Sequence, residues 1–208
     1  MSRKAGRHTP ARIMEESMDY IAAIERFAPE DEQEETDKGV ILSFIRRHED
    51  DVLLRDNSIA HITSSGFILN RRLDKVLLVH HNIRNAWAWT GGHADGNGDL
   101  IGVAIREATE ETGVEVMDPL SREIASLDVL PVFAHRRRGH YVNAHLHLSV
   151  AYLLVCDELA PLRARPGENT DVAWFPLDYF IEEHFDAHDT RLYNKLIRRA
   201  RTRAIHDA

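Results

Sequence analysis

Apolar residues recur along this chain with two different periods. Ile13, Tyr20, Ile21, Ile24 and Phe27, with Ser17 in step, fall on one helix face across residues 11–27, and Pro29 follows where a helix would end. Beyond an acidic connection, Glu30–Glu35, the spacing of Val40, Ile41, Phe44 and Ile45 predicts a second helix. The pattern then turns to that of a sheet. Ala60–Asn70 reads as a strand, Asn70–Asp74 as a turn and Lys75–His81 as a second, largely buried strand. Ile124–Ala134 and Tyr141–Cys156 form the arms of a long hairpin around the basic turn His135–His140. Thr190–Ala204 returns to the helical period, with Leu192, Leu196 and Ile197 on its apolar face. Strands interrupted by one central helix, with other helices at the ends and no internal repeat, predict a layered α/β architecture with a mixed sheet. Residues 1–57 read as an N-terminal extension and helical segment packing on a main domain at 58–208.

Composition narrows the function classes. With 208 residues the chain can hold one domain with an appendage, and 43% hydrophobic and 29% charged residues are ordinary for a globular protein. A net charge of −8 argues against a general binder of nucleic acid or of membrane surfaces. The longest apolar runs, such as Val150–Cys156, are far too short to span a membrane. The lone cysteine, Cys156, allows no internal disulfide and reads as a small buried hydrophobe, which points to the cytoplasm. Met1–Arg12 is basic but lacks the apolar run of a secretory signal, and Met14 offers an alternative start.

The chemistry concentrates in Gly91–Val114. Glu107, Glu110 and Glu111 stand at i, i+3 and i+4, so a helix would project all three carboxylates from one face. Such crowding repels, and a hard divalent cation relieves it. Mg²⁺ fits, with Mn²⁺ as the alternative. Gly91-Gly92 and Gly96-Asn97-Gly98 would let the backbone turn tightly and approach a metal or phosphate, and Gly113 suits the left-handed residue that ends a helix. Ile101, Ala104, Ile105 and Ala108 are available to pack the helix, and Arg106 can form an i,i+4 pair with Glu110.

Written as Gly-x5-Glu-x7-Arg-Glu-U-x-Glu-Glu-x-Gly-U with U apolar, the signature of Nudix hydrolases fits from Gly92 onward, through Arg106, Glu107, Ala108, Glu110, Glu111, Gly113 and Val114. One position departs: Gly98 stands where the motif has its first glutamate, with Asp99 beside it as the candidate replacement. The chain therefore resembles the Nudix hydrolases, and flanks at Lys75–His81 and Ala173–Leu177 extend the resemblance over roughly residues 58–182. The resemblance implies an α-β-α sandwich and hydrolysis of a nucleoside diphosphate linked to another group X. It also implies Glu107, Glu110 and Glu111 as metal ligands, with the Gly91 carbonyl as a fourth, and Glu107 alternatively as the group that orients or deprotonates water. The missing first glutamate would have braced the loop through Arg106. In several members the general base lies outside the motif, and Glu168 in Pro166-Gly167-Glu168-Asn169 is the candidate here. A homodimer is also a family expectation.

Other residues carry weaker signals. His145 and His147 share one strand face opposite Leu146, Leu148 and Val150. They are candidates to line a substrate cleft or touch a phosphate, against an ordinary exposed face; metal ligation ranks below these, because the carboxylate site already suits Mg²⁺. His93 could reach a phosphate. Within the triple arginine Arg136–Arg138, Arg137 could steer a polyphosphate. Trp87 and Trp89 either stack on a base or pack the core. Two rival functions remain: a noncatalytic nucleotide-sensing module, which Gly98 favours and the retained glutamates oppose, and a prenyl diphosphate isomerase, for which Cys156 is poorly placed. The identity of X is not written in the motif.

Overall fold

The computed structural model describes residues 20–137 and 139–206. Ile13, Ser17 and Arg138 lie outside them. The chain runs as α1 (residues 20–26), α2 (Glu32–Arg47), β1 (Ala60–Asn70), β2 (Lys75–His81), β3 (Ala86–Ala88), β4 (Thr90–His93) and α3 (Leu100–Thr112). It continues as β5 (Asp118–Pro119), β6 (Ser126–Val132), β7 (His135–Arg137), β8 (His140–Val142), β9 (His145–Cys156), β10 (Asn169–Pro176) and α4 (Ala187–His206).

At the centre of the mixed sheet β1 runs parallel to β9, in register from Ala60 opposite Leu146 to Asn70 opposite Cys156. The spatial order is β10-β2-β1-β9-β5, with β3 on β2, β4 on β1 and β6 on β9, all of these added pairings antiparallel. On its other edge β1 is shared: β2 pairs at Ile68–Leu69, and β4 pairs at Thr63–Gly66. All eleven residues of β1 are buried, as expected of a strand covered on both faces.

Side chains alternate across the sheet, and the alternation sorts the core into two clusters. Ile62 and Ile68 of β1 and Leu148, Val150 and Leu154 of β9 face one way, and pack with Tyr20, Ile24, Ile41, Ile45, Ala104 and Ala108 of the first three helices. Phe67, Leu69, Ala151 and Leu153 face the other way and meet Leu192, Tyr193, Leu196 and Ile197 of α4. The result is the expected α-β-α sandwich. Cys156 is fully buried in the first cluster, and burial pushes its thiol up to about 11.

The acidic segment Glu30–Glu35 departs from expectation, being mostly helix rather than connection. Asp31 is the N-cap of α2 and accepts from the Glu34 amide at 2.9 Å, while Glu32, Glu34 and Glu35 occupy the first turn. Carboxylates are favoured there by the helix dipole, so the acid run nucleates a helix start instead of a solvated link. Glu34 then reaches inward and is fully buried. Its carboxylate takes a bidentate grip from Arg199 at 2.9 and 2.6 Å and a third contact from Lys195 at 3.1 Å. Lys195 also bonds Asp128 at 2.7 Å, and Ser126 bonds the same aspartate at 2.5 Å. Two acids and two bases thus join α2, β6 and α4 across the end of the sandwich. Asp37 of α2 further accepts from the outward amide of Val129 at 2.9 Å, covering the edge strand β6.

Removing one member of such a buried set leaves its partners uncompensated. Glu34→Ala is expected to cost about 3–5 kcal/mol of unfolding free energy in a urea titration. Arg71→Ala, which breaks an exposed ion pair with Asp118, is expected to leave the midpoint unchanged.

Candidate functional site

The site is built where β4 leads into α3. Gly91 and Gly92 do not turn the chain, as their residue type suggests. They lie in β4, paired with Ser65 and Ser64, and what they supply is closeness. A Cβ on Gly92 would stand 2.5 Å from the Glu107 carboxyl carbon, and one on Gly91 would stand 2.5 Å from Ser65 Oγ. The turn follows later, at Asp95 (φ 50°) and Gly96 (φ 84°). Asp99 caps α3 by accepting from Gly102 at 3.1 Å, and Gly113 ends it in the left-handed conformation at φ 74°.

Asp99 is therefore committed to the helix start and does not brace Arg106. Arg106 bonds Glu107 at 2.8 Å, rather than Glu110 one turn on. The loop's brace comes from outside the motif: Arg55 grips Asp95 through two hydrogen bonds of 2.7 and 2.5 Å. Each partner stabilises the other's charge, so the Asp95 carboxyl is held below its ordinary range and the arginine above.

Three of the expected acids converge on one cation that sequence inspection missed. Arg165 Nη1 lies 2.8 Å from Glu110, 3.0 Å from Glu168 and 3.8 Å from Glu107. Glu168 thus joins the motif carboxylates although it lies far along the chain. Asn169 fixes the segment, donating to the Glu111 carbonyl at 2.9 Å and accepting from the Arg165 amide at 2.7 Å. Gly167, at φ 88°, makes the turn between them.

Glu111 is the buried member, 6% exposed. Burial, followed by the neighbouring Glu107 charge, raises its carboxyl to about 8, although the Gly91 amide hydrogen-bonds it. Its Oε2 has no hydrogen-bond partner among the described residues. An orphaned oxygen beneath a cluster of carboxylates is the donor set a hard divalent cation takes, so these residues fit Mg²⁺ or Mn²⁺.

His145 and His147 are not an ordinary exposed face. They meet His61 and His93 in a cluster, with ring centroids of His61 at 4.9 Å from His93 and from His145, and 5.2 Å from His147. Burial and the neighbouring imidazoles drive His147 down to about 3, so it is neutral at physiological pH. Trp87 and Trp89 both pack the second core cluster, against Phe175 and Tyr193. Arg137 lies in the small β7–β8 hairpin, opposite His140. Of the residues that sequence inspection did not single out, Arg165, Asn169 and Arg55 carry no local signal, and His61 shows only as a histidine in a strand.

A family model described as the NUDIX domain matches residues 60–196. No curated protein matches the sequence. Among solved structures, a NUDIX-family hydrolase from Clostridium perfringens is similar at 21% identity and TM-score 0.46, over 66% of this chain and 95% of that one. An Ap4A hydrolase binary complex from C. elegans is similar at 18% identity and TM-score 0.48, over 64% and 93%. The NUDIX domain of Shewanella oneidensis NrtR, complexed with ADP ribose, is similar at 19% identity and TM-score 0.48, over 78% and 97%.

The two adjacent glycines should respond differently to a methyl group. In Gly91→Ala the new Cβ also meets Ser64 O and Ser65 Cα at 3.1 Å, which are backbone and cannot move aside. That change is expected to cost about 2 kcal/mol in urea denaturation. In Gly92→Ala the nearest atoms all belong to the Glu107 side chain rather than to backbone, and the change is expected to cost less than about 1 kcal/mol.

Proposed function

The chain belongs to the NUDIX domain family, and from that premise we propose that it is a metal-dependent hydrolase cleaving the pyrophosphate bond of a nucleoside diphosphate linked to another group. The observation that carries this is the gathering of Glu107, Glu110 and Glu168 on the single guanidinium of Arg165, with Glu111 buried beside them. A buried carboxyl raised to about 8 and left with an unpaired oxygen beside other acids is costly to a fold, and a bound cation would offset that cost.

Glu107, Glu110 and Glu111, with the Gly91 carbonyl, would hold Mg²⁺ or Mn²⁺. When bound, the cation would neutralise the pyrophosphate oxygens and acidify a coordinated water. Arg165 already sits among the carboxylates as a positive charge, and can transfer its hydrogen bonds to a phosphate oxygen. Glu168, held within reach of the same guanidinium, accepts the proton of the attacking water as general base. Glu107 is the alternative for that role, since Gly92 packs against its carboxyl group. Arg106 orients Glu107. His93, at the end of β4, is offered to the phosphates, and Arg137 to a polyphosphate approaching the β7–β8 hairpin.

The domain division follows the same proposal. Residues 58–208 carry the hydrolase, and residues 1–57 extend it, with Ile24, Ile41 and Ile45 contributing to the first core cluster. Among the described residues no helix is long and apolar enough to cross a membrane.

The test is product release from a panel of nucleoside diphosphate derivatives with Mg²⁺ or Mn²⁺. Glu110→Gln is expected to lower turnover by about 100-fold, the scale of losing one electrostatic contact to a transition state. No turnover across the panel, with nucleotide still bound tightly, would replace hydrolysis with sensing. Glu168→Gln separates the base from the ligands: kcat is expected to fall by about 100-fold with KM little changed. Turnover near wild type in that variant would remove Glu168 from the mechanism.

A further inference from the structure

The histidine cluster is chemically distinct from the carboxylate site. We propose that His61, His145 and His147 form a three-histidine site for a divalent transition-metal ion of the zinc class. The three side chains reach one point because of the sheet's register. His61 on β1 is the direct partner of His147 on β9, and His145 stands two residues along on the same face. One ring nitrogen from each lies within 4.8 Å of the others. Zinc–imidazole bonds of about 2.0–2.1 Å in a tetrahedral set would draw these atoms to about 3.4 Å of one another. The Nε2 atoms of His145 and His147 are 3.3 Å apart and share a hydrogen bond, in which His147 donates when the His145 proton is on Nδ1; a metal ion would take the place of that shared proton.

The rings are also aimed. His61 Nδ1 donates to the Asn57 carbonyl at 2.9 Å, and His145 Nδ1 donates to the Asn143 carbonyl at 2.9 Å. A carbonyl can only accept, so both protons are assigned to Nδ1 and both Nε2 atoms present a lone pair. This is the outer support that metal-binding histidines use to fix tautomer and orientation. His61 is only 3% exposed, and its Nε2 has no hydrogen-bond partner among the described residues. A buried acceptor left without a partner is costly, and an ion at the centre of the cluster would satisfy it.

The donor set selects the ion. Three neutral imidazoles with no carboxylate among them suit zinc and its neighbours, and suit Mg²⁺ poorly. Three protein ligands leave a fourth position for water or another ligand. His93 stands beside the cluster, its ring centroid 5.2 Å from that of His147. Since Gly92, the preceding residue of β4, packs against Glu107, the two sites are neighbours along one strand.

The experiment uses the full chain without a histidine tag, stripped with a chelator and titrated with Co²⁺ and then Zn²⁺. One equivalent of Co²⁺ is expected to give the visible bands of a tetrahedral site, and one equivalent of Zn²⁺ to abolish them. The bands should persist in Glu110→Gln/Glu111→Gln and disappear in His145→Ala and His147→Ala. In the Glu110→Gln/Glu111→Gln background Zn²⁺ should raise the Tm, and adding His145→Ala should remove that rise. His145 is the informative position because it is partly exposed, so its loss tests binding without threatening the fold. Absence of a tightly bound equivalent in the wild type would overturn the proposal. So would bands that vanish in the glutamate variant, or tetrahedral Co²⁺ bands that survive in both histidine variants.

Discussion

The parallel ladder between β1 and β9 is the constraint on which the rest of this molecule depends. It joins segments far apart in sequence, and every later placement is measured from it. Because β1 is buried on both faces, its side chains must alternate between two cores, and a slip of one residue would exchange them. The same register sets His61 opposite His147 and leaves the Thr63–Gly66 edge of β1 for β4. That edge in turn holds Gly91 and Gly92 against α3. Pairing of such high sequence separation must overcome loop-closure entropy before it is rewarded.

Charge is held differently in the scaffold and at the site. Around Glu34 the acids are buried against their cations: Glu34 and Asp128 meet Lys195 and Arg199 at hydrogen-bonding distances, Glu30 joins Arg199 from the surface at 2.8 Å, and Ser126 donates to Asp128. Around Arg165 the acids are more open. Glu107, Glu110 and Glu168 meet its guanidinium, Arg106 adds a second cation on Glu107, and Glu111 below them is pushed up to about 8 with an oxygen unpaired. That unpaired buried oxygen, more than the presence of glutamates on a helix, is what distinguishes this face of α3 from a solvated one.

Local patterns in the sequence carried most of the elements. The alternation of β1 and β2, the helical spacing of α4 and the Gly113 stop are nearest-neighbour properties, and they recur in the structure at or near the expected residues. The Glu30–Glu35 run was misleading because the same acids serve a solvated link and a capped helix start, and only the N-cap geometry of Asp31 decides between them. Gly91 and Gly92 were misleading in the other direction. Glycine signals backbone freedom, but here it answers a steric demand from Glu107 and Ser65 that belongs to tertiary packing. Arg165 and His61 could not be singled out at all. Each acquires its role from partners supplied by another element, and no spacing rule along one strand or helix contains that information.

Two interactions hold the loop around Gly98. Asp99 pins the start of α3 through the Gly102 amide, at a place where a Cβ on residue 102 would stand only 2.3 Å from Asp99 Oδ2. Arg55, contributed by the segment before β1, clamps Asp95 bidentately just where the backbone enters positive φ. A bidentate guanidinium–carboxylate pair fixes direction as well as distance, which a single pairing across the motif does not require. The loop is thus braced from the segment before β1, while Arg106 holds Glu107 within the helix. The loop that leads into the carboxylate-bearing helix is thereby coupled to the segment leading into β1.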